Sequence, residues 1–253
     1  MSHHVLEREI SAPKIGRGPE LRASRLERTT EPPRIVNLLS PGQQALLQGI
    51  STLVVFRHGE DIFLEGDEAN FVYTVATGMV RVSRCGLSGR RQVMAFALPG
   101  DLFGFPEHGQ YPNSTRAVGD ATLYLIPWLE LNALLQQEPA LQASFLVRMT
   151  FDLRQAQRRI LVLGQQNVSQ RLATFLLELI EHEDFYDAGR GLLRLPLSRF
   201  DLGDYLGTSP ETVVRILARM EKDGLLHRQS SRVLQILDLD GLSLLLRGRR
   251  RND

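Results

Sequence analysis

The stretch Leu197-Ser-Arg-Phe-Asp-Leu-Gly-Asp-Tyr-Leu-Gly-Thr-Ser-Pro-Glu-Thr-Val-Val-Arg-Ile-Leu-Ala-Arg-Met-Glu-Lys-Asp-Gly224 decides how this chain is read. Ser198 is placed to cap a helix whose inward positions are Leu202 and Leu206, and Gly207 permits a sharp turn after it. Ser209 caps a second helix. Pro210 falls in the first turn of that helix, where a missing N–H forfeits no hydrogen bond, and Val213, Ile216, Leu217 and Met220 supply a buried face up to the stop at Gly224. The spacing predicts a helix-turn-helix. Short apolar runs flank it, Leu192 to Leu195 before and Leu225 to Arg228 with Val233 to Leu237 after, the last two joined through Gln229-Ser-Ser231; they make it a winged variant. In that geometry the early outward positions of the second helix meet the major groove of DNA. Glu211 can accept from a cytosine amino group, Arg215 can fork onto a guanine and Val214 can pack on a thymine methyl. Ser198, Ser209, Thr212, Arg219 and Arg232 are the candidate phosphate contacts, with Arg228 beside Arg232 in the wing. An ordinary helical hairpin shares the apolar spacing but has no use for cap, proline, glycine turn, Glu and Arg together.

Upstream, Val168 to Ile180 carries Leu172, Phe175, Leu176 and Leu179 at helical spacing, and the acidic, broken Glu181 to Gly189 reads as a loop. Before it, Pro139 opens a long helix. Leu146, Met149, Leu153, Ala156, Ile160 and Leu163 recur three and four apart, leaving Arg148, Arg154, Gln157 and Arg158 mostly off the stripe. Two copies of such a stripe would pair, so it is the expected dimer interface, while Phe145 and Phe151 lie off it and are free to pack on a second face. Trp128 to about Gln137 reads as a shorter helix. Downstream, Leu242 to Leu246 forms a last apolar helix ending in Arg247, Arg249, Arg250 and Arg251, a run that reads as solvated charge or a phosphate contact.

From Thr52 to Pro127 the pattern changes to short β-rich runs: Leu53–Phe56, Asp61–Leu64, Phe71–Val75, Met79–Ser83, Gln92–Ala97 and Ala121–Ile126. Glycines at 59, 66, 78, 89, 100, 104 and 119 separate or end them, which predicts a small antiparallel roll. Residues 1–33 hold Pro13, Pro19, Pro32 and Pro33 with scattered charge and no periodicity, and read as a flexible N-terminal tail. His3 and His4 lack the third ligand of a closed metal site. The expected organisation is therefore a tail at 1–33, a roll at 34–137, a dimerisation helix at 138–166 and a winged domain at 167–253.

Composition sets the outer bounds. The 253 residues carry a formal net charge of +1, and the part from Val168 onward balances its acids and bases, so no basic domain announces a nucleic-acid partner. Lys14 and Lys222 are the only lysines; every other basic side chain is arginine, the residue suited to forked contacts with phosphate or guanine, although biased base composition produces the same excess. One cysteine, no leader pattern and no run near 20 apolar residues point to a cytoplasmic, reducing compartment and away from a membrane. No paired carboxylate, His-rich set or Ser/His/Asp spacing supports an enzyme.

Two motifs together resemble the CRP/FNR transcription regulators, over roughly Leu38 to Leu246. The first runs Phe56-Arg-His-Gly-Glu-Asp-Ile-Phe-Leu-Glu-Gly-Asp-Glu-Ala-Asn-Phe-Val-Tyr-Thr-Val-Ala-Thr-Gly-Met-Val80 with Pro99-Gly-Asp-Leu-Phe-Gly104, and the second is Ser209-Pro-Glu-Thr-Val-Val-Arg215. The resemblance implies an α+β fold: an N-terminal antiparallel β-roll similar to cyclic-nucleotide-binding domains, a long dimerisation helix and a C-terminal winged helix-turn-helix. It also implies a homodimer on a near-palindromic DNA site with RNA polymerase as partner. Members that bind cyclic AMP present a glutamate after the Gly-Asp-x-x-Gly turn and then an Arg-Ser pair; here the chain reads Phe105-Pro-Glu and later Asn113-Ser-Thr-Arg-Ala117, with Arg116 the arginine nearby. Oxygen-sensing members carry an N-terminal cysteine cluster, and no cysteine precedes Cys85. FixK-type and nitric-oxide-responsive branches remain as the resemblance. No cofactor is expected, with a cyclic nucleotide or haem as the alternative that would gate DNA binding. His58 and His108 are the candidate haem ligands, and Cys85, near Arg84, Arg90 and Arg91, is the candidate redox site. FNR-like recognition helices often read Glu-x-x-Ser-Arg, so Val214 stands where serine is expected.

Overall fold

The computed structural model describes residues 39–246 apart from 87, 88 and 90; the N-terminal tail, Arg90 and the arginine run from Arg247 lie outside the described residues. The chain enters through a helix that the sequence reading passed over, α1 (Pro41–Ile50). Ser40 accepts from the Gln43 amide while the Gln43 side chain answers the Ser40 amide, a capping box with proline in the first turn.

Eight strands follow: β1 (Thr52–Phe56), β2 (Asp61–Phe63), β3 (Phe71–Thr77), β4 (Val80–Cys85), β5 (Arg91–Ala97), β6 (Leu102–Phe103), β7 (Ser114–Ala117) and β8 (Ala121–Pro127). They build two antiparallel sheets, ordered β1-β8-β3-β6 and β2-β7-β4-β5. Side chains alternate across a strand, so each sheet has an inner face; Phe56, Val75, Leu123 and Leu125 from one meet Ile62, Phe63, Val80 and Ala117 from the other to make the roll interior. The expected roll is present, with β6 and β7 added to the predicted runs. Gly78 shows why glycine is needed at one of its turns. It has φ +85°, and a Cβ there would stand 2.5 Å from the Asp120 carbonyl oxygen.

Two helices carry the chain off the roll, α2 (Trp128–Gln137) and the 27-residue α3 (Pro139–Gln165). Val72, Ala76, Tyr124 and Ile126 on the outer face of the first sheet pack on Leu47, Leu131, Leu141 and Phe145. Phe145 thus serves the second face of α3, as its position off the stripe predicts. Phe151 does not: it stays 42% exposed, with the Arg148 guanidinium 5.8 Å from its ring. Arg148 itself is buried against the roll. It donates to the Gly100 carbonyl and pairs with Asp101 and Asp152, so a position expected to be merely off the stripe is an ionic anchor.

Gln166 and Asn167 separate α3 from α4 (Val168–Ile180), and Asn167 caps α4 in a second capping box with Gln170. The rest is β9 (Tyr186–Asp187), β10 (Leu192–Arg194), α5 (Arg199–Leu206), α6 (Pro210–Lys222), β11 (Leu226–Arg228), β12 (Val233–Ile236) and α7 (Leu239–Leu246). Strands order β11-β12-β10-β9, and β9 lies in the stretch read as a plain loop. Leu172, Phe175, Leu202, Leu206, Val213, Leu217 and Leu226 form one core that also takes in Met79, Val93, Phe96 and Val118 of the roll. The winged unit and the outer face of the second sheet therefore share apolar surface.

Candidate nucleic-acid interface

Each end of the helix-turn-helix is built by the groups the sequence singled out. Ser198 accepts from the Asp201 amide at 3.0 Å, and Gly207 closes α5 with φ +67°. Ser209 accepts from the Thr212 amide at 3.3 Å, and its hydroxyl lies 3.2 Å from that of Thr212. Gly203 lets the helices meet: a Cβ there would lie 3.0 Å from the Thr208 carbonyl oxygen.

Val213, Leu217 and Met220 are buried while Glu211, Val214, Arg215, Ala218 and Arg219 are exposed, so the 3.6-residue period splits α6 into a core face and an open face. Glu211, Val214 and Arg215 lie on the open face near its N-terminal end. A hydrogen bond from its own amide, with help from Ser209, holds the Glu211 carboxyl below its usual pKa, so it is an acceptor at neutral pH. Arg219 stands 3.8 Å from Asp223 one turn on.

The wing is tied to this helix by a contact the sequence reading did not find. Glu221 accepts from the Arg228 amide at 2.9 Å and from its Nε at 2.6 Å, and His227 Nδ1 is 2.9 Å away. Arg228, expected to reach outward with Arg232, is thus held back on α6. Arg232 is exposed, its amide bonded to Ser230, and the Ser231 carbonyl takes a hydrogen bond from Arg199. The Ser198 hydroxyl is also committed, donating to Asp201 at 2.7 Å.

The helix stripe is open. Leu146, Leu153 and Ile160 are 66%, 60% and 69% exposed, Ala156 and Leu163 are exposed, and Met149 is half-buried. The roll interior is packed with rings. Phe63 stacks on Tyr111 with centroids 3.7 Å apart and lies 5.2 Å from Tyr73, which stacks on Phe103 at 5.4 Å. Tyr111 donates to the Phe71 carbonyl, and burial pushes the Tyr73 hydroxyl far above its usual pKa.

Arg116 is not in that interior. It sits across from Asp61 on the sheet and pairs with it at 2.5 and 2.6 Å. His58 is tied to the Val118 carbonyl and the Asp120 carboxylate, and His108 is exposed in a tight turn at φ +52°. Among the described residues no three His, Cys, Asp or Glu side chains cluster to hold a metal. Cys85 is exposed at the end of β4, opposite Arg91 in the sheet register.

A two-sheet roll, a long helix and a winged helix-turn-helix together make the architecture of a transcription regulator. Residues 53–138 match the cyclic nucleotide-binding domain and residues 170–245 the Crp-like helix-turn-helix domain. The chain is 32% identical over 201 residues to the nitrogen fixation regulation protein FixK of Rhizobium meliloti, covering 79% of this chain and 90% of that protein. It is 33% identical to the anaerobic regulatory protein of Haemophilus influenzae over 72% of this chain and 71% of that one. The solved structure of FixK2 from Bradyrhizobium japonicum superposes with a TM-score of 0.71 at 33% identity, over 78% of this chain and 97% of that one. The chain belongs to the CRP/FNR family of transcription regulators.

Proposed function

We propose that this protein is a homodimer that reads a near-palindromic DNA site through α6 and contacts RNA polymerase from that site. The open face of α6 carries the reading: three side chains of complementary recognition chemistry, Glu211, Val214 and Arg215, stand together on a helix whose other face is buried. Arg215 takes a guanine and Glu211 a cytosine, and Val214 offers a methyl surface where a serine would offer a hydroxyl. Ser209, Thr212, Arg219 and Arg232 serve phosphates. Ser198 has its hydroxyl committed to Asp201 and would contribute by its position at the start of α5 alone.

Dimerisation is supported by the α3 stripe, since Leu146, Leu153 and Ile160 leave large apolar groups in water that a second copy would cover. Two copies place two recognition helices one DNA turn apart, about 34 Å, in matching half-sites. No ligand is required in this reading, because the aromatic stack occupies the roll interior and Arg116 stands outside it, across from Asp61 on the outer face of the sheet. Among the described residues no helix is long and apolar enough to cross a membrane, which fits a cytoplasmic regulator.

Selection from random duplex DNA at near-physiological salt, with no ligand added, tests this directly. A two-fold symmetric motif with guanine and cytosine at the positions of Arg215 and Glu211 is expected. Recovery of such a motif only after adding a cyclic nucleotide or haem would replace ligand-independent action with gating.

A further inference from the structure

The outer face of the β2-β7-β4-β5 sheet holds a cleft of about 230 Å³, lined by Asp61, Arg81, Ser83, Arg84, Arg91 and Arg116 among others. The register puts Arg81 opposite Arg116 and Arg116 opposite Asp61, so the three leave the sheet on one face. Facing guanidiniums repel, and the fold answers with carboxylates. Asp61 takes Arg116, while Asp201, arriving on α5 from the winged unit, takes Arg81 at 2.6 Å and Arg91 at 2.9 Å; Arg91 also reaches Asp204 at 2.9 Å. Arg116 feels Asp201 as well: its guanidinium is held above its usual pKa first by the Asp61 hydrogen bond, and the Asp201 charge adds to it.

One buried donor is left over. Arg81 is 8% exposed and its Nε has no hydrogen-bond partner in the protein. Buried N–H groups are seldom left without an acceptor. Neither oxygen of Asp201 supplies one: Oδ1 takes Arg81 and Arg91, and Oδ2 takes the Ser198 hydroxyl. A tetrahedral phosphate offers more acceptors in a geometry that suits converging guanidiniums.

We propose that this cleft is a binding site for a small phosphate-bearing ligand, held by Arg81, Arg91 and Arg116, which displaces the Asp201 carboxylate and frees α5 from the roll. The site lies outside the roll interior, and it does not depend on which DNA sequence α6 reads.

Calorimetric titration of the full chain in phosphate-free buffer, with inorganic pyrophosphate in one arm and adenosine 5′-monophosphate in the other, tests the site. Hydrogen exchange of α5 is followed at saturation. Saturable binding is expected, weakened at least tenfold in Arg116→Gln, with faster exchange across Arg199–Leu206 in the bound wild type. Arg116 is half-exposed and its loss leaves the Arg81–Asp201 bridge in place, so its variant should melt as the wild type does; Arg91→Gln provides a second partial deletion of the site. Tighter pyrophosphate binding identifies a free inorganic ligand, and tighter nucleotide binding a phosphorylated metabolite. No saturable binding of either probe, equal affinity in wild type and both variants, or binding that leaves α5 exchange unchanged overturns the proposal.

Discussion

Arg215 is the side chain whose removal should speak most plainly. Its guanidinium is exposed on the open face of α6, so Arg215→Ala should leave folding intact, cost about 1–3 kcal/mol of DNA affinity and relax a single base position. Binding measured on a set of half-sites changed one base at a time will show whether the loss is confined there. Val214→Ser exchanges a methyl surface for a hydroxyl and should change the preferred base at its own position while leaving those of Arg215 and Glu211 alone; the same set of half-sites checks it. Both positions were legible because period-3.6 burial separates outward from inward residues without knowledge of any neighbour. Arg148 was not. Position off an apolar stripe says only that a residue does not share the stripe's face, and whether it then meets water or another element is decided by packing. It meets the Gly100 carbonyl and Asp101, so Arg148→Ala removes the guanidinium from a buried carbonyl and two carboxylates, leaving Asp101 only the Leu98 amide. We expect roughly 2 kcal/mol of destabilisation in urea unfolding, below the range for a fully buried pair because the two carboxylates are about a third exposed.

The elements divide in the same way. Helices α2 to α6 follow from caps, prolines and apolar spacing that act within a few residues, and their observed ends agree with those signals. The two-residue β6, the four-residue β7 and the two-residue β9 do not, because a strand that short owes its existence to the strand beside it. Helix α1 is missed for a different reason: it has a complete capping box, but only Leu47 is buried on it, too little apolar periodicity to read. The long helix α3 leaves its apolar stripe in water. Placing a charge on its open stripe, as in Ile160→Asp, should convert a dimer to a monomer in sedimentation and weaken DNA binding at least tenfold, since one half-site is then held alone. A dimer that survives Ile160→Asp and Leu153→Asp together would place the interface elsewhere.

At the scale of the molecule, the main feature is the join between the roll and the winged unit. Phe96 of β5 packs on Phe175 and Tyr205, whose ring lies 3.3 Å below the Arg159 guanidinium and whose hydroxyl is pushed up to about 12 by burial. Arg171 reaches the Leu163, Gln166 and Leu206 carbonyls and so braces the hinge between α3 and α4 against α5. Burial tends to raise the pKa of Asp201 in this join, but the Ser198 hydrogen bond and the charges of Arg81 and Arg91 outweigh it and hold the carboxyl below its usual value. A carboxyl depressed in the folded state adds stability above its unfolded value, about 3.9, and loses it as pH falls through the lower folded value. The stability difference between wild type and Asp201→Asn, followed by thermal denaturation, should therefore hold constant above about pH 5 and shrink below about pH 4. None of these partners could be paired from the sequence, where Arg81 and Asp201 stand 120 residues apart. The sequence by itself determined the class of fold, the helix-turn-helix and the direction the side chains of α6 face, because caps, turns and periodicity are local. Only the tertiary structure decided that the roll interior is closed by stacked rings, that Arg116 and Arg228 are spent on carboxylates and that α5 is bridged to the roll. Each of those depends on which distant side chains are brought within a few ångströms, and hydrogen bonds and ion pairs form only at that range.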